Sequence, residues 1–290
     1  GHRALRARVH ERAAGLGLVP VAISFEPIPR EFFARATPVP RLASAREKIV
    51  QIAQAGIRRL LLLRFDEALA AMPAETFIEE VLIGRADARE IWIGADFRFG
   101  HARRGDVALL RAAGARRGFA VEVMPDVEAG GERVSSSAIR AHLAAGEFDA
   151  AARLLGRRFA IGGHVVRGRQ LGRTLGYPTA NIRLGRRTSP VGGIFAVRVH
   201  GIGPLPLPGV ASLGVRPTVA PAGATAVEPL LEAHLFDFDR DLYGRRIEVE
   251  FVQKLRDEEK FDDLDAMVRQ IDRDASQARL ILGLAAGPAI

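Results

Sequence analysis

Residues 194–215, IFAVRVHGIGPLPLPGVASLGV, hold two short apolar runs with only a Gly/Pro-rich stretch between them. The runs Ile194–His200 and Val210–Val215 are rich in Val, Ile and Leu, the composition of strands. Glycine or proline at 201, 203, 204, 206, 208 and 209 punctuates the connection and leaves no room for a helix. Two strands joined so briefly pair antiparallel, because a parallel crossover takes about a dozen residues or more. Further along, Leu231–Phe238 and Arg246–Val252 repeat the rhythm, which predicts an antiparallel barrel or sandwich. A helical stretch over Leu264–Leu282 closes the chain.

Upstream the rhythm changes. Strands are expected at Val19–Phe25, Leu60–Phe65, Ile91–Gly94 and Ala120–Val127. Helical patterns lie between them at Ala45–Ala55, Pro73–Ile83 and Asp106–Arg117, the first and last stopped by Gly56 and Gly118. Strand–helix alternation predicts an α/β domain built on a parallel sheet, with ligands beyond the carboxyl ends of the strands. Two short helices, Ser136–Ala145 and Asp149–Leu155, bridge the halves and put the boundary near Gly156. The expected domains are therefore 1–155 and 156–290. The chain opens at Gly1-His2 with a helical pattern through Gly15 and no strand before it. An α/β sheet of this kind normally starts with a strand, so the sequence reads as lacking its first one.

Composition excludes several classes. With 48% apolar and 26% charged residues, the chain is globular rather than disordered. It has no apolar run of about 18 residues and no signal-peptide core, so it is expected to be soluble and cytoplasmic. The absence of cysteine removes disulfides, thiolate metal sites and cysteine nucleophiles. The seven histidines show no ligand spacing. The net charge of +8 is shared evenly: residues 1–155 carry 23 basic against 19 acidic residues, and 156–290 carry 19 against 15. Without a basic tail or stripe, phosphate-bearing small molecules account for that charge as well as nucleic acid does. No nucleic-acid or membrane partner is expected, and the oligomeric state is not legible.

The densest chemistry lies in residues 162–181, GGHVVRGRQLGRTLGYPTAN. Glycines let backbone approach a polyphosphate closely and supply N–H donors. Pro178 fixes the approach to Thr179, whose hydroxyl suits Mg²⁺, and Asn181 offers a neutral amide for a phosphate oxygen. The plain alternative is a set of turns.

The run GRTLGYPTAN resembles the riboflavin kinase signature, in which a Gly-rich flap and a PTAN element hold Mg-ATP. Leu231-Glu232-Ala233-His234, then Asp237-Phe238 and Asp241-Leu242-Tyr243-Gly244, is similar to that family's catalytic strand and the turn after it. Residues 254–261, KLRDEEKF, resemble its C-terminal flavin-side segment. The resemblance implies a mainly antiparallel β-barrel with a C-terminal helix, and riboflavin and ATP as substrates. Glu232 would be the general base for the ribityl terminal hydroxyl. Gly168, Gly172, Arg173, Gly176, Pro178, Thr179 and Asn181 would hold ATP and, through Thr179, its Mg²⁺. Arg256 would help enclose the flavin or the product phosphate. On residue type alone, Glu232 is equally a solvated strand carboxylate and Arg256 a surface charge. His234 shares the strand face of Glu232 and is read as packing or orienting its neighbour, outside the catalytic set.

The first half resembles the FMN adenylyltransferase domain of bifunctional bacterial FAD synthetases, a Rossmann-like nucleotidylyltransferase fold. Residues 93–100, IGADFRFG, look like its loop for flavin and adenine, with Asp96 and Phe97 as candidates. Residues 134–140, VSSSAIR, look like its second nucleotide motif, with Ser135, Ser136 and Arg140 meeting the triphosphate at a helix start. One of these serines is equally read as a plain N-cap. Of the family's His-x-Gly-His motif only Gly1-His2 is present, and Ile28 stands where the family usually shows a histidine. A chain beginning at Gly1 is therefore expected to make FMN without FAD, and a longer parent to make both. The competing readings are a riboflavin kinase with a non-catalytic or regulatory first domain, and a non-catalytic flavin or nucleotide binder. A nucleic-acid binder is the third.

Overall fold

The structure is a computed structural model that describes residues 1–34, 39–168, 172, 175–184, 188–219 and 225–285. Its contacts divide the chain into two compact units, residues 1–39 with 45–134 and residues 40–44 with 135–290.

The first unit is α/β. Helix α1 (His2–Leu16) ends on Gly17 in the left-handed conformation. Strand β1 (Val21–Glu26) and strand β2 (Arg59–Arg64) pair in parallel, with α2 (Pro29–Phe33) and α3 (Ala45–Gln54) between them in sequence. Beyond α4 (Glu67–Ala71) and α5 (Ala74–Thr76), β3 (Glu90–Gly94) and β4 (Ala120–Met124) form a second parallel pair linked by α6 (Val107–Arg117). Among the described residues the two pairs are separate two-stranded sheets. Their core joins Leu63, Phe77, Ile78, Val81, Ile93, Phe99 and Leu110. Asp106 caps α6 through the Leu109 N–H and Gly118 closes it, as the sequence leads one to expect.

The helix expected at Pro73–Ile83 has a different build. After α5 the chain widens into a π-helix over Phe77–Arg85, where the N–H of Ala86 reaches the Val81 carbonyl five residues back. Buried Phe77, Ile78, Val81 and Leu82 recur at spacings that one apolar face of either helix satisfies. A tiny hairpin, β5 (Glu128–Ala129) with β6 (Glu132–Arg133), completes the unit.

The second unit begins with α7 (Ser136–Ala145) and α8 (Phe148–Leu155) and closes on a barrel. Its strands are β7 (Ala160–Val166), β8 (Thr179–Arg183), β9 (Gly193–His200), β10 (Leu207–Val219), β11 (Thr225–Leu235) and β12 (Arg246–Arg256), closed in the order β10-β11-β8-β7-β12-β9. Every pairing is antiparallel. Strand alternation sorts the side chains. Ile161, Ile182, Phe195, Val197, Val199, Leu231, Ala233, Ile247, Val249 and Phe251 are buried, and Thr179, Glu232, His234, Arg198 and His200 take the alternate positions. Phe148 of α8 lies parallel to Phe251 at 6.0 Å and edge-on to Phe195 at 5.8 Å. Helix α9 (Leu264–Ile281) packs on β9, β10 and β12, burying Ala275 and Ala278 against Ala196, Val210, Tyr177 and Phe236.

Candidate active site

The barrel brings the kinase candidates together through strand register. Strands β8 and β11 pair so that Asn181 lies opposite Glu232 and Thr179 opposite His234. Since the side-chain period of a strand is two, all four project from the same face, and directly opposed Cβ atoms sit about 4.5–5.5 Å apart. Val166 flanks Asn181 on the β7 side, and Ser212 flanks Glu232 on the β10 side. Asn181 is 5% exposed, whereas Thr179 and Glu232 are half-buried.

The glycines explain how Asn181 becomes covered. The chain leaving β7 passes so close that a Cβ on Gly168 would overlap the Asn181 amide. A Cβ on Gly172 would overlap the Tyr177 carbonyl, while the Tyr177 N–H donates to the Gly172 carbonyl at 2.8 Å. Gly176 takes a left-handed conformation, φ 80°, just before Tyr177 and Pro178. Gly168 thus lies directly against the Asn181 amide, and Gly172 against the Tyr177 carbonyl. Arg173 lies outside the described residues.

His234 anchors a further set of contacts on this face. His234 Nδ1 is 2.9 Å from the Pro178 carbonyl, and its ring stands edge-on between Tyr177 (5.0 Å) and Phe236 (5.8 Å). Burial holds its pKa below the ordinary value for histidine, so the ring is neutral at neutral pH and its proton sits on Nδ1, facing a carbonyl that can only accept. The Tyr177 hydroxyl donates to Asp272 of α9, and burial followed by that bond raises its pKa far above the usual phenol value. Arg279 pairs with Asp237 at 2.8 Å and covers the Phe236 ring at 4.5 Å.

Arg256 is held by a partner of its own. It grips Asp274 of α9 in a bidentate pair, Nε to Oδ1 at 3.0 Å and Nη2 to Oδ2 at 2.8 Å. Gln270 donates to the same carboxylate at 3.0 Å, and Phe261 lies under the guanidinium at 5.7 Å. Asp274 is 4% exposed. Two register shifts in β12 bring Arg256 opposite Ile194, which itself faces Ser212, the neighbour of Glu232. Arg256 and Glu232 therefore occupy one row of the barrel three strands apart. Glu258, in the segment after β12, sits over β10 where a Cβ on Gly214 would otherwise be.

The adenylyltransferase candidates are placed by other means. In the first unit, Asp96 and Phe97 follow the carboxyl end of β3, in a turn closed by the Phe97 N–H to the Gly94 carbonyl. Phe97 stacks on Phe99 at 5.5 Å, and Phe99 bridges to Gly105, where a Cβ would come within 2.7 Å of the ring. Asp96 is exposed and 3.7 Å from Arg133, which pairs more closely with Asp126. His2 is the first residue of α1. In the second unit, Ser135 is the N-cap of α7, its Oγ accepting from the Ala138 N–H at 3.0 Å. Ser136 is exposed at the helix start, and Arg140 donates to the Ser136 and Pro40 carbonyls. Ile28 is the N-cap residue of α2.

Comparison with known proteins adds two family matches. A model described as riboflavin kinase matches residues 155–282, and one described as FAD synthetase matches residues 1–138. The bifunctional riboflavin kinase/FMN adenylyltransferase of Escherichia coli K12 is 44% identical over 284 residues, covering 98% of this chain and 89% of that protein. The protein of the same name from Pseudomonas fluorescens is 44% identical over 281 residues, covering 97% and 88%. A solved structure from Streptococcus pneumoniae, described as a macrolide-efflux protein, superposes with a TM-score of 0.73 at 30% identity over 94% of this chain and 88% of that one. Among the described residues of the present chain, no helix is long and apolar enough to cross a membrane.

Proposed function

The chain belongs to the bifunctional riboflavin kinase/FMN adenylyltransferase family, and on that premise we propose which of its residues carry the two reactions. It is an enzyme of flavin cofactor synthesis. Its kinase half transfers a phosphoryl group from ATP to riboflavin to give FMN, and its FAD synthetase half, in the full-length parent, transfers the adenylyl group of ATP to FMN to give FAD. We assign the first domain to residues 1–155 and the kinase domain to 156–290, and place both in the cytoplasm, where the ATP they consume is made.

In the kinase half, the carboxylate of Glu232 takes the proton from the ribityl terminal hydroxyl as that oxygen attacks the γ-phosphorus. The bond from that phosphorus to the bridging oxygen breaks, and ADP leaves with the electron pair. The observation that carries this reading is the direct pairing of Glu232 with Asn181, with Thr179 on the same face. A hydroxyl and an amide oxygen are hard oxygen donors that fit magnesium, and glycine at 168 lets the backbone lie directly against the Asn181 amide. Thr179 and Asn181 would hold Mg²⁺ arriving with ATP, and the bound ion would neutralise charge on the phosphates. We assign Gly168, Gly172, Arg173, Gly176 and Pro178 to the phosphates of ATP. We assign Arg256, three strands from Glu232 around the barrel, to the flavin or the product phosphate.

In the first domain we assign Asp96 and Phe97 to the flavin and adenine rings. His2, Ser135, Ser136 and Arg140 are assigned to the phosphates, where the amide groups and dipole at the start of α7 favour an anion.

The test is Glu232→Gln. FMN formation should fall about 10²–10⁴-fold while riboflavin affinity stays within about threefold. A variant that keeps more than a tenth of the wild-type rate would remove Glu232 from the role of base.

A further inference from the structure

Beyond the assigned ligands, we propose that His234 is a positioning residue of the kinase site. It holds the Pro178–Thr179 segment against the strand that carries Glu232, and so fixes the Thr179 hydroxyl where nucleotide phosphates and their cation are bound. The inference rests on the assignment of Thr179 as a ligand.

The β8–β11 ladder has four paired positions, and the last joins Thr179 to His234. Thr179 is thus the first residue of its strand, and a terminal pair frays more readily than an internal one. Pro178 before it has no N–H to donate, so only its carbonyl can tie the chain down. That carbonyl takes its bond from the His234 side chain at 2.9 Å. Behind it, the Tyr177 ring packs edge-on against the His234 ring, and the Tyr177 hydroxyl is bonded to Asp272 of α9. The residues entering the binding face are therefore clamped by one imidazole and one phenol ring. A ligand-bearing segment held this way loses order when the outer partner is removed, and loss of such partners commonly lowers affinity 10–100-fold.

The experiment uses the full chain and the variants His234→Leu, His234→Asn and His234→Asp. Amide hydrogen exchange in the ligand-free protein reads segment 177–183 directly. Calorimetric titration with MgADP reads binding without turnover. The Leu variant should exchange at least tenfold faster in that segment alone and bind MgADP about tenfold more weakly, with the KM for riboflavin within twofold. Asparagine, whose amide can donate to the Pro178 carbonyl, should recover binding to within about threefold. Aspartate, close in size but lacking a donor, should not. Should the Leu variant fail to fold, the Asn/Asp pair decides the point alone.

Equal behaviour of Asn and Asp, or a loss spread over the whole barrel with both substrates weakened alike, would overturn the proposal. Thr179→Ala separates the two levels. If it leaves MgADP binding unchanged, the assignment of Thr179 and this inference fall together. If it weakens binding while His234→Leu does not, only the positioning role falls.

Discussion

The two units hold their candidate residues by different devices. In the barrel, Thr179, Asn181 and Glu232 are fixed by the hydrogen-bond register of adjacent strands, so the geometry of the site is that of the sheet itself. In the α/β unit, Asp96 and Phe97 hang from a turn after β3 and take their places from a stacked pair of phenylalanines and one glycine. A site built into strands tolerates little change in the backbone but is insulated from its loops. A site built on a turn depends on whatever packs beneath it. The comparison therefore predicts where damage goes: disturbing an anchor of the barrel costs stability first, whereas disturbing the turn costs one activity first.

The largest effect is expected from Asp274→Ala. Arg256 is 20% exposed, and the substitution removes its bidentate carboxylate, leaving the exposed Glu259 at 3.8 Å. Removing one member of a buried pair costs about 3–5 kcal/mol, measurable by urea denaturation. The double variant Arg256→Met with Asp274→Leu should recover most of that stability, because an apolar pair of similar volume replaces both charges. If Arg256 also contacts the flavin, the double variant will be stable yet bind riboflavin weakly. Stability and affinity both restored would reduce Arg256 to an anchor for α9.

This pair also shows what the sequence concealed. Capped helices were legible because their signals are local: Ser135 and Gly146 bound α7, and Asp106 and Gly118 bound α6. The strands around 194–215 were legible from their apolar runs, although β10 extends four residues past Val215. Strands β7 and β8 were not, since Gly162, Gly163 and Thr179-Ala180-Asn181 have loop composition and become strands only through partners far along the chain. The facing of Glu232 and Asn181 required the register, and the tie between Arg256 and Asp274 required both the β12 bulges and the docking of α9. The motif residues themselves were readable. His234 is readable as a packing or orienting residue from its spacing to Glu232, but Tyr177, Asp272 and Asp274 act across long sequence separations and leave no spacing to find.

A smaller effect sharpens the other side of the comparison. Gly105→Ala would place a methyl group 2.7 Å from the Phe99 ring, and overpacking of that kind costs about 1–3 kcal/mol. Phe99 is buried and stacked on Phe97, so relief comes by moving the turn that carries Asp96 and Phe97. Conversion of added FMN to FAD should weaken about tenfold in KM for FMN, while FMN formation from riboflavin stays within twofold. Equal loss of both activities would mean that the turn is not an independent site.

The smallest effect tests a residue with two possible duties. Ser135 Oγ accepts from the Ala138 N–H, so its lone pair serves the helix, but a hydroxyl keeps one proton to donate. Ser135→Ala removes both functions and should cost about 1 kcal/mol of stability, the usual value of an N-cap. Asp263 caps α9 in the same way, through the Ala266 N–H at 2.6 Å, and lies outside every assigned site. Asp263→Ala should therefore cost a similar amount and leave both activities unchanged, which calibrates the stability term. Ser135→Asp then separates the duties of Ser135. A carboxylate caps a helix as well as a hydroxyl does, so melting should stay at the wild-type value. The same carboxylate cannot donate to a phosphate and repels it, so the KM for ATP in FAD formation by the full-length parent should rise at least tenfold. Full activity with normal melting would leave Ser135 as a cap alone and pass the phosphate contact to Ser136 and the amides behind it.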